Sequence, residues 1–331
     1  MKFHLMRLCM LQASLLVAPL AISSAAQAHG IAGNRYFPGT LTFDDPAVAD
    51  ELILPNASYS AHPASTGDTV YDTTVAASFA RLLTPDLAIG ADSSWTQWNR
   101  KGAARQAGFG MTSVSLKGRF YEDDPHEALF SASVGWGFPH SGSENVGADG
   151  PATLQLGVFG GKGFGDLPDK LAWLRPFGIA AAASAQLPTR SHTSVLGLNP
   201  VTGQLGAIAA GDPNILHSGF ALEYSTLYLT DRFTGQPPGS EPLNQLVPLV
   251  EFAFDTPMGA ARGFKSTATA NPGLSYVGVT YQVAIEAVVP LNRAAGSGVG
   301  GRVQLLMFLD DFIPSLFSKP LLSERTLFSR D

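Results

Sequence analysis

From about residue 50 onward, apolar and polar side chains alternate one for one. Between 128 and 138, Ala128, Phe130, Ala132, Val134, Trp136 and Phe138 fall on one side, and Ser131, Ser133, Gly135 and Gly137 on the other. Just before them, Val114, Leu116, Gly118 and Phe120 oppose Ser113, Ser115, Lys117 and Arg119. Further on, Val250, Phe252 and Phe254 oppose Glu251, Ala253 and Asp255. Near the end, Val277, Val279, Tyr281, Val283, Ile285 and Ala287 oppose Gly278, Thr280, Gln282, Ala284 and Glu286. A period of two puts successive side chains on opposite faces of an extended strand. The 3.6-residue period of an amphipathic helix is hard to find in this part of the chain.

Eleven segments read as strands: about 52–60, 70–82, 87–98, 109–121, 127–138, 152–164, 174–187, 215–229, 246–256, 274–289 and 299–311. Many are longer than the ~5–6 residues usual in globular proteins and reach the ~9–11 that a tilted strand needs to cross a bilayer. Thr84-Pro85-Asp86 and Glu122-Asp123-Asp124-Pro125 read as tight turns. Residues 139–151, 188–214 and 257–273 read as longer connectors rich in Gly, Pro, Ser and Asn. Trp95, Trp98, Trp136 and Tyr281 fall near strand ends, where aromatic girdles belong.

Composition fits this pattern. Only 15% of the 331 residues are charged, 45% are hydrophobic, and mean hydropathy is +0.11. Disordered chains need the opposite balance. A net charge of -6 without a basic run argues against nucleic-acid binding. At the start, Lys2 and Arg7 precede an uncharged, mostly apolar run, Leu8 to Ile22, and then Ala26-Gln27-Ala28. That is the layout of a secretory signal peptide cleaved after Ala28. Cleavage removes two of the 21 basic residues and none of the 27 acidic ones, taking the net charge to -8. It also removes Cys9, the sequence's one cysteine. No later stretch is apolar for the ~20 residues of a spanning helix.

Export, long alternating strands and sparse charge together predict an all-β fold: a transmembrane antiparallel up-and-down β-barrel. Even strand numbers are the rule for such barrels, so about 12 strands are expected (range 10–14). The missing strand is sought at 36–43 or 191–209. The expected division is 1–28 signal peptide, 29–51 N-terminal periplasmic segment, 52–311 barrel and 312–331 C-terminal tail. A secreted β-sandwich also alternates, but would cover its outer face with charge. Here the polar face is often Gly and Ser.

With apolar faces on lipid, Lys117, Arg119, Glu223, Glu251, Asp255, Glu286, Arg302 and Asp310 are expected to point inward and line a pore. Water or opposite charges satisfy them there, and such charges shape selectivity. An ion-pair network holding the barrel together is the alternative. A 12-strand barrel falls between side-chain-filled and wide-open sizes, so a narrow or plugged passage is expected.

Other motifs carry less. Gly296-x-Gly298-x-x-Gly301 spells a dinucleotide fingerprint, which needs a strand before and a helix after. Residues 302–309 alternate instead, so a hairpin turn is expected. His29 would open the mature chain, and a free amine with its imidazole can grip copper if a second histidine comes near. His62, His126, His140, His192 and His217 are scattered, so no metal site and no cofactor are expected. No G-x-S-x-G motif occurs, His140-Ser141 is merely a pair of loop neighbours, and no catalytic residues are assigned.

Three stretches carry a resemblance. His29-Gly-Ile-Ala-Gly-Asn-Arg-Tyr-Phe-Pro-Gly-Thr-Leu-Thr-Phe-Asp-Asp-Pro46, running on to Ala49-Asp50-Glu51-Leu52, resembles the start of uncharacterised proteobacterial outer-membrane barrels. Phe308-Leu-Asp-Asp-Phe-Ile-Pro314, followed by Lys319-Pro320-Leu321, resembles their ending. The hairpin Phe79-Ala-Arg-Leu-Leu-Thr-Pro-Asp-Leu-Ala-Ile-Gly90 is similar to hairpins of the transporter family of the phenol-degradation meta pathway. The resemblance implies an outer-membrane protein that moves solutes, and supplies no catalytic residues. Barrels of this kind commonly end on an aromatic residue of the last strand, yet some twenty residues follow Leu309. Either the tail folds back in the periplasm or the last strand lies elsewhere.

The resulting expectation is a non-enzymatic outer-membrane channel for small solutes, hydrophobic or aromatic ones among them. Its partners are membrane lipid and the solute, with a periplasmic partner for the termini. The alternatives are a lipid-modifying enzyme in the barrel wall and a secreted β-sandwich binding protein that holds copper through His29.

Overall fold

A computed structural model of the chain describes residues 30–33, 35–63, 69–190, 195–198, 205–208, 212–226, 245–259 and 264–322. The expected signal peptide at 1–28, His29, His192 and the last nine residues of the tail lie outside the described residues. The strands are β1 (Ile31–Ala32), β2 (Arg35–Tyr36), β3 (Glu51–Pro63), β4 (Thr69–Thr84), β5 (Leu87–Arg100), β6 (Gln106–Phe109), β7 (Ser113–Asp123), β8 (Ala128–Gly137) and β9 (Thr153–Gly163). They continue as β10 (Phe177–Pro188), β11 (Val195–Leu198), β12 (Leu205–Ile208), β13 (Ile215–Tyr224), β14 (Leu246–Pro257), β15 (Thr267–Val277), β16 (Tyr281–Pro290) and β17 (Gly300–Phe308).

Twelve of these strands form one closed antiparallel ring in the order β3-β4-β5-β7-β8-β9-β10-β13-β14-β15-β16-β17, with β17 returning to β3. Closure gives every wall strand two neighbours, which leaves no unpaired edge. The short β6 pairs only with the far half of β5.

The missing strand lies at neither place where it was sought. Tyr36 belongs to the two-residue ribbon β1–β2, and β11–β12 is a separate hairpin outside the ring. The twelfth wall strand is β15, which takes residues 267–273 of the expected connector 257–273. The expected strand 274–289 is accordingly two strands, joined by the turn Gly278–Thr280. Val277 ends β15 on the inner face and Val279 is exposed in the turn, so neither shares the outer face of Tyr281.

Exposure shows which face of each strand points outward. Val158 and Ile285 are 55% and 56% exposed, while their inward neighbours Phe159 and Ala284 are 5% and 1% exposed. Phe130, Val134, Trp136, Phe220 and Tyr281 continue the exposed apolar belt around the outside. Trp98 is an exception to the expected girdle. It shares the inner face with Thr74 and Thr96, and its indole N–H donates to Asp72 at 2.7 Å. Among the described residues no helix is long and apolar enough to cross a membrane.

Both described chain ends sit at one end of the barrel, together with the short connections at 85–86, 124–127 and 278–280. The last wall strand ends on the aromatic Phe308, and two helical turns, Leu309–Phe312 and Pro314–Phe317, follow it. The tail folds back onto β4. Leu321 and Leu322 donate backbone N–H groups to Leu82 and Leu83. The Arg81 guanidinium donates to Asp50 (2.6 Å) and to the carbonyls of Leu316 (3.0 Å) and Lys319 (2.7 Å).

Candidate functional site: a plugged barrel interior

The described residues of 30–50, which fall in the expected periplasmic segment 29–51, run inside the barrel. The physical reason is the polar inner wall, which offers carboxylates and amides that an inserted backbone can satisfy. Glu251 on β14 accepts the backbone N–H groups of Leu41 and Thr42, each at 2.8 Å. Gln282 on β16 accepts from Gly39 N–H at 3.0 Å and donates to Gly39 O at 2.8 Å. The Tyr36 hydroxyl donates to the same Gln282 oxygen at 2.9 Å. On β17, Gln304 donates to Thr40 O at 3.1 Å and Arg302 to Leu41 O at 2.6 Å. Asn56 on β3 donates to Leu41 O at 3.0 Å. The Thr42 hydroxyl lies between Glu286 on β16 and Asn271 on β15, at 2.9 Å from each.

The opposite wall holds the segment's second half. Lys117 on β7 donates to an Asp44 carboxylate oxygen at 2.9 Å and to Asp45 O at 2.6 Å. Ser131 on β8 donates to Pro46 O at 2.9 Å. A segment bonded to β3, β7, β8 and β14–β17 at once spans the lumen, so it is a plug.

Its entrance is fixed by charge. Arg35 is fully buried and lies 3.3 Å from Glu127, and it also donates to the carbonyls of Pro176 (2.8 Å) and Arg175. Burying such a pair is tolerable because the guanidinium's remaining donors are also used. Burial pushes the Asp45 carboxyl up to about 6, opposed chiefly by the nearby Lys117 ammonium.

The Gly-rich inner face now has a packing reason. A Cβ on Gly161 would stand 3.0 Å from the ring of Phe37, and one on Gly219 2.5 Å from the ring of Phe43. Glycine at these two wall positions leaves room for the plug's aromatic rings.

The eight residues expected to line a pore separate into four groups. Lys117, Glu251, Glu286 and Arg302 contact the plug, and Arg302 lies 3.8 Å from Glu286. Glu223 is buried on the inner face of β13, and Asp255 faces the interior beside His217 and Thr267. Arg119 is occupied at the barrel's end by Asp86 (2.6 Å) and Glu122 (2.7 Å). Asp310 lies past the wall, in the helical turn that follows β17. Sequence reasoning missed Asn56, Ser131, Asn271, Gln282 and Gln304. Their signal was an amide or hydroxyl on the inward phase of a long strand.

Beyond the plug, toward the end away from the termini, lies a cavity of about 940 Å³. Thr40–Asp45 form its floor, and Ser60, Ser94, Gln155, Ser184, Gln186 and Asp255 are among its walls. This is the upper size range of small-molecule sites.

A scan against protein-family models finds no match, and neither does a search of curated proteins. Among solved structures the fold is similar to the COG4313 outer membrane channel from Pseudomonas putida F1, with a TM-score of 0.51 at 11% identity. That likeness covers 82% of this chain and 99% of the other. The NanC porin is also similar, with a TM-score of 0.44 at 10% identity, covering 78% and 98%. The closed twelve-strand ring, its exposed apolar belt and the first of these likenesses make this chain an outer-membrane β-barrel.

Proposed function

We propose that the protein is a channel for small solutes, kept closed by its own residues 30–50. The observation that carries this reading is the seat of the plug. Backbone groups of 39–42 are bonded to side chains of four wall strands and the Thr42 hydroxyl to a fifth, with Lys117 holding 44–45 from across the lumen. These are hydrogen bonds between a strap and a wall, so each is individually worth only about 0.5–1.5 kcal/mol and up to about 3 with a charged partner. Such a strap can leave without unfolding the ring.

In this reading the termini lie in the periplasm and the 940 Å³ chamber opens outward. Serine, threonine and amide side chains make up much of the chamber wall, which suits polar solutes better than the hydrophobic or aromatic ones included in the sequence expectation. Lys117, Glu251, Glu286 and Arg302 then act as the plug's latches, and they line the pore once the plug withdraws.

Planar-bilayer recording tests this directly. The full chain gives rare openings, and a variant lacking 36–48 conducts continuously. A silent barrel without the segment would overturn the channel reading.

A further inference from the structure

Resting on that channel reading, we infer that the outer chamber selects small cationic solutes, with Asp92 and Asp255 setting the preference. These two residues stand on opposite walls. Asp92 is on β5 and Asp255 on β14, six places apart in a ring of twelve strands. Both line the chamber.

The remaining chamber charges do not cancel them. Lys117 and Arg302 are the lysine and arginine among the chamber's described lining residues, and the plug occupies both. Lys117 is spent on Asp44 and Asp45, and Arg302 on the Leu41 carbonyl and Glu286. Asp44, Asp45 and Glu51 also border the chamber. With the plug seated, five acidic side chains face two cations, with His62 and His217 as the other titratable lining groups. When the plug withdraws it takes Asp44 and Asp45 with it and bares Glu251 and Glu286 beside Lys117 and Arg302, so Asp92 and Asp255 stay uncancelled.

Asp92 and Asp255 are held mostly by neutral donors, which orient a carboxylate without removing its charge. The Ser113 hydroxyl lies 3.4 Å from Asp92, and the Thr267 hydroxyl donates to Asp255 at 3.0 Å. His217 meets Asp255 through Nδ1 at 2.6 Å and the Gln186 amide through Nε2 at 3.0 Å. Low-dielectric walls focus the field of such charges into the cavity, and carboxylates around a passage favour cations. The hydroxyl-rich wall supplies acceptors for the N–H groups of an amine, so the solute class is small, polar and amine-bearing.

The test is reversal potential of the full chain in a KCl gradient at pH 8, above the ordinary imidazole range. Potassium should exceed chloride several-fold. Asp92→Asn and Asp255→Asn should each lower the ratio, and the pair should bring it near one. Asp149→Asn, outside the chamber lining, should leave it unchanged. Asp92→Ser gives a second route should the amide disturb the wall, and gel mobility before and after boiling verifies folding. Chloride preference, or a ratio unmoved by the double variant, overturns the inference while leaving a channel in place. A full chain that never conducts counts against the channel, and calorimetric titration with spermidine then decides the chamber's charge. Binding weakened several-fold in the double variant supports the inference, and no binding overturns it.

Discussion

Gln282 and Gly39 exchange two hydrogen bonds across 243 positions of sequence, the wall amide accepting at 3.0 Å and donating at 2.8 Å. The side chain does for the plug what a neighbouring strand does for a sheet, satisfying one backbone N–H and one C=O. Replacing it with Gln282→Leu leaves both groups buried and unpaired, at about 1–3 kcal/mol each. The expected outcome is a rise in open probability of about tenfold or more, read by single-channel recording. Gln282→Glu keeps the acceptor and loses the donor, so its effect falls between.

The plug's entrance depends on Arg35 and Glu127, both almost fully buried and 3.3 Å apart. Arg35→Ala strands the carboxylate, and breaking a buried pair costs about 3–5 kcal/mol. Limited proteolysis should then cut within 36–48 while the wall stays intact. Arg35→Met combined with Glu127→Gln should restore part of the protection. Equal resistance in wild type and Arg35→Ala would mean that the pair does not anchor the segment.

Acid should tighten the plug. The Asp45 carboxyl sits at about 6 when docked, against its ordinary 3.8, because burial outweighs the pull of Lys117, with Asp44 and Glu251 adding to the rise. A group that binds its proton more tightly in the docked state favours that state as pH falls. Docking therefore strengthens as pH drops through 6, and the gain is complete below about 3.8. Openings recorded at pH 7 should become rarer at pH 5, and Asp45→Asn should weaken this dependence. An increase in openings on acidification would contradict the assignment.

The outer belt makes a separate claim. Ile285 is 56% exposed on β16, beside a fully buried inner face. An arginine facing lipid near the bilayer midplane costs about 2–4 kcal/mol. Ile285→Arg should lower the urea midpoint of the barrel refolded in lipid, whereas Ser60→Arg, on the inner phase of β3, should not. A belt in contact with water would show no difference between the two.

Much of this fold was legible because a strand with lipid on one side and water on the other must alternate. The inner and outer sets read from 113–120 and 128–138 match the observed faces. The strand β15 was hidden because Asn271-Pro272-Gly273, three turn-forming residues, sit in its middle. Its ladder with β16 skips from the pair Ala270–Val289 to the pair Gly273–Glu286 at this point. The same residues serve the plug: Asn271 holds Thr42, and Gly273 leaves space where a Cβ would stand 2.9 Å from that of Glu286. Local rules fail here because the site, not the strand, selects the residues. The plug itself was hidden for a different reason. Residues 30–50 have no periodicity of their own, and only the wall they face explains them.

The central claim is that Thr42 and its neighbours occupy the lumen and must leave it for solute to pass. The most direct test pairs Thr42→Cys with Asn271→Cys, whose native side chains meet at 2.9 Å, in a chain where Cys9 is replaced by serine. Conductance in planar bilayers is then recorded under oxidising and reducing conditions. The account predicts silence when the tether is closed and recovery of openings on adding reductant. Equal conductance in both states, with the disulfide confirmed by mass spectrometry, would contradict it.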